Sequence, residues 1–412
     1  MKILLLNQVF YPDVAATAQH LTDLSTELAA AGHAVQVLCS RRNYEKPEVL
    51  HPRREIWRGI AIRRIYSLGF GKSARWRRYA DFGSYLLNCL RHLIALPGFD
   101  MVIAMTSPPL IYWLAALFVR IKGGKLAFWV MDLNPDEAIA AGWMQSGSWM
   151  TRCLERMLRY SLNQAAVIVT LDKFMAQRIQ AKGIPQDNIV VLPPWSHDHQ
   201  VYYNLEGRGQ FRKQHQLEEK FVVMYSGNHS PCHPLSTLLE AARRLVSDPR
   251  LAFCFVGGGT EFDRVRAYKK QHDLKNVFLV PYQPLSTLSA SLSSADLHVV
   301  TMGDPFVGIV HTCKVYNVRM LGIPYLYIGP RRSHVTELHP NYSALHGDVD
   351  LVVRHLLTAA QAGLPKITPL ETHEHSQDHL IRKMMAVLES TLVHDGVSEK
   401  TRMLRSAKLD AR

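Results

Sequence analysis

The sequence predicts an α/β protein of two doubly wound, Rossmann-like domains in series, and three observations carry that prediction. Short β-branched or Leu-rich runs alternate with helix-length amphipathic segments, the signature of parallel β-α-β units. The rhythm stops near residue 195 and restarts at "KFVVMYSGN". Several of the apolar runs are followed by turns bearing Gly, Ala or Asp, which is where open α/β sheets hold ligands. A length of 412 residues is also more than a single core usually supports.

In the first domain, residues 1–195, "KILLLNQV" reads as a strand, "ATAQHLTDLSTELAAAG" as a helix with Gly32 where a C-cap belongs, and "HAVQVLCS" as the next strand. "IAIRRI", "DMVIAM", "KLAFWVMD", "AAVIVTL" and "NIVVLPP" continue the set. Residues 196–220 are polar, dotted with aromatics and without clean periodicity, and read as an interdomain connection. The second domain, 221–370, runs through "PLSTLLEAARRLV" as helix, "LAFCFVGGG" as strand and turn, "TEFDRVRAYKKQHDL" as helix, then "NVFLVPY" and "DLHVVTM" as strands. Residues 371–390 are expected to form a helix returning to the first domain. The tail 391–412 has little to bury and is expected to be disordered.

Composition narrows the function classes. With 47% hydrophobic and 20% charged residues the chain is ordinary globular material, and 48 basic against 35 acidic residues give +13, favouring an anionic partner. No recognition helix or other nucleic-acid motif accompanies that charge, which argues against nucleic acid. Six Cys lie scattered without a C-x-x-C pair, so neither a zinc ribbon nor a disulfide framework is expected and the thiols read as reduced, in a cytosol. "MKILLLNQVFYPD" is interrupted too early for a signal peptide, and "LIYWLAALFV" is well short of the roughly 20 residues that span a bilayer.

Five turns carry the candidate chemistry. "FYPDVAATAQHL" places small Ala15 and Ala16 before a helix N-terminus, where backbone can approach a ligand closely, although a plain β-α loop fits as well. In "WVMDLNPDEAIAAGW", Asp132 can bind a hydroxyl, assist a proton or simply cap the next helix. "YSGNHSPCHPL" puts Gly227 and Asn228 at a strand exit with His229 and His233 nearby; two prolines break any helical His pair and no carboxylate joins it, so a metal is not expected. "FVGGGTEF" offers Gly257, Gly258 and Gly259 without the G-x-G-x-x-G spacing of a dinucleotide site. Lastly, "GDPFVGIVHTCKVY" has Gly308 freeing the backbone of Phe306, Val307 and Ile309 to present successive N–H groups, with Lys314 as a point charge beside them.

Taken in order, "YPDVAATAQHLTDLSTELAAAGHAVQVL", "DLNPDEAIAAGWM", "YSGNHSPCHPLSTLLEAARRL", "VGGGTEFDRV" and "LSSADLHVVTMGDPFVGIVHTCKVYNVRMLGIP" make the chain resemble the family 4 retaining glycosyltransferases, of GT-B fold, from Met1 to about Glu389. "DLNPD" with "GIVHTCKVY" is similar to members that build bacterial exopolysaccharide and O-antigen repeats, including fucosamine-transferase-like ones. The resemblance implies two Rossmann-like domains facing across a cleft, and Ala15 and Ala16 near the donor phosphates. It also implies a basic pair on the diphosphate, which here is Asn228 and His233, so that Lys314 is left as the strongest cation candidate. The nucleotide base falls to the Gly257–Gly259 turn and Tyr282. The ribose falls to Asn317, where the family carries the second Glu of Glu-x7-Glu; the first would fall near Ile309.

The activity that the resemblance implies is that of a hexosyltransferase-type enzyme (EC 2.4) moving a sugar with retention from a nucleotide sugar, UDP-linked, to a lipid-linked saccharide, without metal or other cofactor. The acceptor side would include His20, Trp76, Arg77 and Arg78. Arginines from Arg53 to Arg78, with Lys72 among them, precede a segment bearing Tyr79, Phe82, Tyr85, Leu86, Leu90 and Leu93, a pattern that suits peripheral attachment to an anionic inner leaflet; equally, the apolar residues suit packing on the sheet. The rival readings are a UDP-sugar 2-epimerase of the same fold and an inactive sugar-nucleotide-binding homologue.

Overall fold

The computed structural model describes residues 1–44, 46–70, 75–196, 201–363, 367 and 373–392. The expected tail beyond residue 392, Lys72, and residues 197–200 of the expected connection lie outside it. The chain forms two compact units, Met1–Pro194 with Asp378 onward, and Trp195–Gln377.

The first unit holds an eight-stranded sheet of β1 (Lys2–Leu6), β2 (Ala34–Ser40), β3 (Arg54–Trp57), β4 (Ile60–Ile65), β5 (Met101–Ala104), β6 (Lys125–Val130), β7 (Ala165–Thr170) and β8 (Ile189–Val191), in the order β3-β4-β2-β1-β5-β6-β7-β8. All neighbours are parallel except β3, which pairs antiparallel with β4. The sequence pattern does not announce that hairpin. Arg58 (φ 50) and Gly59 (φ 79) both take left-handed backbone, the two-residue loop that matches strand twist, and Arg in place of the usual Asn hides the signal. The central strands are buried on both faces, which is why Ile3 to Leu6 and Leu126 to Val130 read as unbroken apolar runs.

The helix Arg75–Ala95 divides the apolar residues that suggested a membrane contact. Tyr85, Cys89 and Leu93, spaced i, i+4, i+8, are buried, and the Tyr85 hydroxyl donates toward the Asn7 and Leu38 carbonyls at the sheet. Trp76, Tyr79, Leu87, Leu90 and Ile94 remain exposed. Residues 377–392 are helical, and from Asp378 they belong to this first unit, burying Leu380, Ile381, Met384 and Leu388.

The second unit holds β9 (Phe221–Asn228), β10 (Leu251–Gly258), β11 (Val277–Val280), β12 (Leu297–Thr301), β13 (Tyr325–Ile328) and β14 (Tyr342–Ala344), all parallel in the order β11-β10-β9-β12-β13-β14. Read from β9, this is the doubly wound order 3-2-1-4-5-6, with its switch point between β9 and β12. Residues 201–220, expected to be irregular, instead contain the helix Leu205–Gln214, which packs on the helix Leu285–Ser293. Its stripe is ionic, so hydrophobic periodicity does not reveal it. Arg208 and Arg212, one turn apart, both reach buried Asp296 at 2.6 and 2.5 Å, and the Val222 N–H donates to the same carboxylate at 2.7 Å.

Candidate active site

At the carboxyl end of the second sheet, β9 and β10 run with Gly227 opposite Gly257 and Asn228 opposite Gly258. Gly227, Gly257 and Gly259 have φ of 126°, 133° and 124°, backbone that only glycine adopts readily. A Cβ on Gly257 would stand 2.1 Å from the Gly227 carbonyl oxygen, and one on Gly259 2.4 Å from that of His229, so the two turns touch because neither has a side chain. His229 fastens them: its N–H donates to the Gly258 carbonyl (2.9 Å), its own carbonyl accepts from Glu261 N–H (3.0 Å), and its ring Nδ1 meets the Gly227 carbonyl (2.9 Å). The helix Thr260–Gln271 starts at once beside the turns, with its Glu261 and Phe262 N–H groups bonded to the His229 and Gly259 carbonyls. Tyr282, half-exposed, brings its hydroxyl within 3.1 Å of the Gly258 carbonyl and 3.3 Å of Asn228 Oδ1.

Neither histidine supplies charge. Burial, reinforced by Lys314, lowers His229 to about 4 and His233 well below its ordinary range, and His233 Nδ1 lies 2.7 Å from the Thr301 carbonyl. The cation is Lys314, first residue of the helix Lys314–Met320. Its Nζ sits 2.5 Å from the Tyr225 hydroxyl and 4.0 Å from the centre of that ring, and its stem lies against Gly227, where a Cβ would be 3.4 Å from Cε. Burial pushes its pKa down to about 7. Asn317 follows one turn later on the same helix face.

The expectation for Phe306 to Ile309 needs correction. Asp304–Phe306 form a 3-10 turn; the N–H of Phe306 bonds the Gly303 carbonyl, and those of Ile309 and Val310 both bond the carbonyl of Phe306. Thr312 N–H donates to His334 Nε2. The loop spends these N–H groups on itself and its neighbours and is not a row of free donors. Gly308 (φ 69) makes the fold of the loop possible, while Phe306 lines a separate depression of about 520 Å³ with Pro234, Thr237 and His346. Tyr225 and His229 are the site residues that sequence reasoning passes over or sets aside. Both stand beside Gly227, and that proximity to a strand-end glycine is the available signal.

The first unit's edge is built differently. Ala15 caps the helix Ala16–Ala30 without a side-chain bond, and its carbonyl accepts from the Ala18 and Gln19 N–H groups. Asp132 follows β6, with its N–H 3.3 Å from Thr106 Oγ1. It does not cap the next helix, whose N-cap is Pro135 with no side-chain cap bond. Burial, then the Glu137 carboxyl, push Asp132 up to about 8, against the opposing pull of Arg78. Glu137 is raised too, mainly by burial, and accepts from Asn134 Nδ2 at 3.0 Å. His20, expected on the acceptor-side surface, is only 2% exposed and lies beside the Trp129 ring, because its position on the helix faces the core. Trp76, Arg77 and Arg78 are exposed as expected.

The two parallel-sheet units, with a glycine-lined carboxyl edge on the second, define a GT-B protein. The chain matches the glycosyl transferase 4-like domain over residues 16–195 and the glycosyl transferases group 1 domain over 207–312, and is a glycosyltransferase. It is similar to the putative colanic acid biosynthesis glycosyl transferase WcaI of Escherichia coli, 23% identical over 78% of this chain and 82% of that protein, and to the probable glycosyltransferase WbjE of Pseudomonas aeruginosa, 21% identical over 58% and 60%. Among solved structures, Anabaena HepE in complex with UDP and glucose superposes with a TM-score of 0.70 at 13% identity, covering 95% of this chain and all of that one. WaaG, a glycosyltransferase involved in lipopolysaccharide biosynthesis, does so with 0.64 at 14% identity, covering 93% and 99%.

Proposed function

We propose that the protein transfers a sugar, with retention, from a UDP-linked donor to a lipid-linked saccharide in the building of a cell-surface polysaccharide. The observation that carries this reading is the convergence of the Gly227 and Gly257–Gly259 turns, a helix N-terminus and Lys314 beside the switch point of the second sheet. That arrangement suits a diphosphate, and the UDP-bound HepE and the colanic acid relative support the donor and the pathway class. Both curated relatives are glycosyltransferases, which favours transfer over epimerisation.

Cleavage of the sugar–phosphate bond develops negative charge on the departing diphosphate. N–H groups and a cation aimed there lower the barrier by about 3 kcal/mol for a well-placed donor. Protein-supplied charge makes a metal unnecessary. Asn317 takes a ribose hydroxyl, Tyr282 and the Gly257 and Gly258 turn flank the base, and protonated Asp132 donates to a substrate hydroxyl. With no enzymic nucleophile assigned, retention follows from attack on the leaving-group face, the donor phosphate accepting the acceptor's proton as the new bond forms. Trp76, Arg77 and Arg78, with exposed Tyr79 and Leu87, hold the first unit peripherally at an anionic inner leaflet.

Turnover of purified protein against a panel of nucleotide sugars with membrane extract tests the reaction: release of UDP only when extract is present is expected, and no turnover with any donor overturns it. Co-sedimentation with anionic liposomes tests the attachment; it is expected at low salt and lost at high salt or on replacing Arg77 and Arg78 with Ser.

A further inference from the structure

We propose that Tyr225 is the positioning residue for Lys314, its hydroxyl and ring together holding the ammonium against the Gly227 backbone and aiming it over the glycine turns. The inference rests on the reading that Lys314 serves the diphosphate, and adds to it a residue that never touches the substrate.

The geometry assigns each atom a part. Tyr225 lies near the carboxyl end of β9, wholly buried. Its hydroxyl donates to the Asn228 carbonyl at 2.9 Å, so its oxygen has only lone pairs left to offer, and Lys314 Nζ donates to them at 2.5 Å. The same ammonium stands 4.0 Å from the ring centre, close enough for a cation–π attraction. A lysine has a flexible four-carbon stem and no planar fork to fix its direction. Here the stem lies beside Gly227, at a distance where an added Cβ would just touch it, and the head is confined by Tyr225.

The titratable groups facing Lys314 are Tyr225 from β9, His229, Cys232 and His233 from the loop after it, and Cys313 just before its own helix. The two histidines are neutral, and among the described residues no carboxylate pairs with Lys314. Against burial, Cys232 and Cys313 pull the amine's pKa back up, and the Tyr225 oxygen adds a neutral dipole in direct hydrogen-bond contact with the ammonium. Removing it makes the ammonium harder to keep and lets the stem swing.

Tyr225→Phe keeps the ring that fills the core and removes only the hydroxyl. Two readouts are needed. Competitive acetylation with trace anhydride, followed by mass spectrometry across pH, reports the midpoint of the Lys314 amine with no nucleotide present; a downward shift of about half a unit or more is expected. An unchanged midpoint in a variant of unchanged Tm overturns the inference. Calorimetric titration with UDP at about pH 6 and about pH 8 should show the variant's affinity loss growing by about threefold or more at the higher pH, because the weakened amine loses its proton earlier. An equal loss at both values marks a structural role only and also overturns the inference. A shifted midpoint in a parent that binds no UDP leaves the Tyr225–Lys314 relation standing and sinks the proposed donor instead. If Tyr225→Phe does not fold, Tyr225→Met is read by the same two measurements and the same outcomes.

Discussion

The two units repeat one strand order yet present contrasting carboxyl edges. β4-β2-β1-β5-β6-β7 in the first and β11-β10-β9-β12-β13-β14 in the second are the same doubly wound sheet. In the second, glycines with positive φ bring backbone turns into contact and a half-buried lysine stands among neutral histidines, the edge to which we assign the donor phosphates. In the first, the corresponding turns carry Ala15 and Ala16, prolines, and a pair of carboxyls, Asp132 and Glu137, whose pKa burial raises. The fold provides the place for a site, and a few residues after each strand decide the sign of the charge it accepts.

The comparison breaks most visibly if the units do not stand on separate cores. Asp296→Ala leaves Arg208 and Arg212 buried without their partner, so the second unit should lose about 3–5 kcal/mol while the first melts as before. A calorimetric scan checks it, and equal shifts in both transitions would show one shared core. Next, Lys314→Ala should lower turnover by at least about tenfold, some 1.4 kcal/mol, with the Tm retained. Parent-like turnover would remove the cation from the proposed anion-binding edge.

Smaller effects sharpen the contrast. Asn317→Ala should weaken UDP binding by about 0.5–1.5 kcal/mol through loss of a ribose hydrogen bond; an unchanged Kd places the ribose elsewhere. At the other edge, Asp132 holds its proton in the folded state to about 8, whereas the unfolded chain releases it near the ordinary carboxyl value of 3.8. Between those values the folded state binds the extra proton, so stability falls as pH rises through the window. Asp132→Asn should therefore match the parent in Tm at about pH 4 and exceed it by a few degrees at about pH 8. A difference independent of pH would mean that the carboxyl is ionised in the fold.

Local pattern was enough for most strands and for the Gly227, Gly257 and Lys314 positions, because apolar period and strand-end glycines are written in adjacent residues. It failed where the determinant was distant. The helix Leu205–Gln214 depends on Asp296, more than eighty positions away; the Arg58–Gly59 hairpin depends on pairing with β4; and the burial of His20 depends on a neighbour, Trp129, from another strand. The apolar residues of Arg75–Ala95 were visible as a group, yet only packing on the sheet separated Tyr85, Cys89 and Leu93 from Trp76 and Tyr79.

The sequence by itself determined two doubly wound units and which turns carry glycine, acid and base, since each comes from the period and chemistry of a few contiguous residues. Only the tertiary structure decided the state of those groups. Whether Lys314 titrates near 7, whether Asp132 keeps its proton, whether the Phe306–Ile309 loop has N–H groups to offer and which tyrosine holds the lysine all turn on desolvation and hydrogen bonds from segments far apart in the chain. Those interactions exist only once the sheets have brought the segments together.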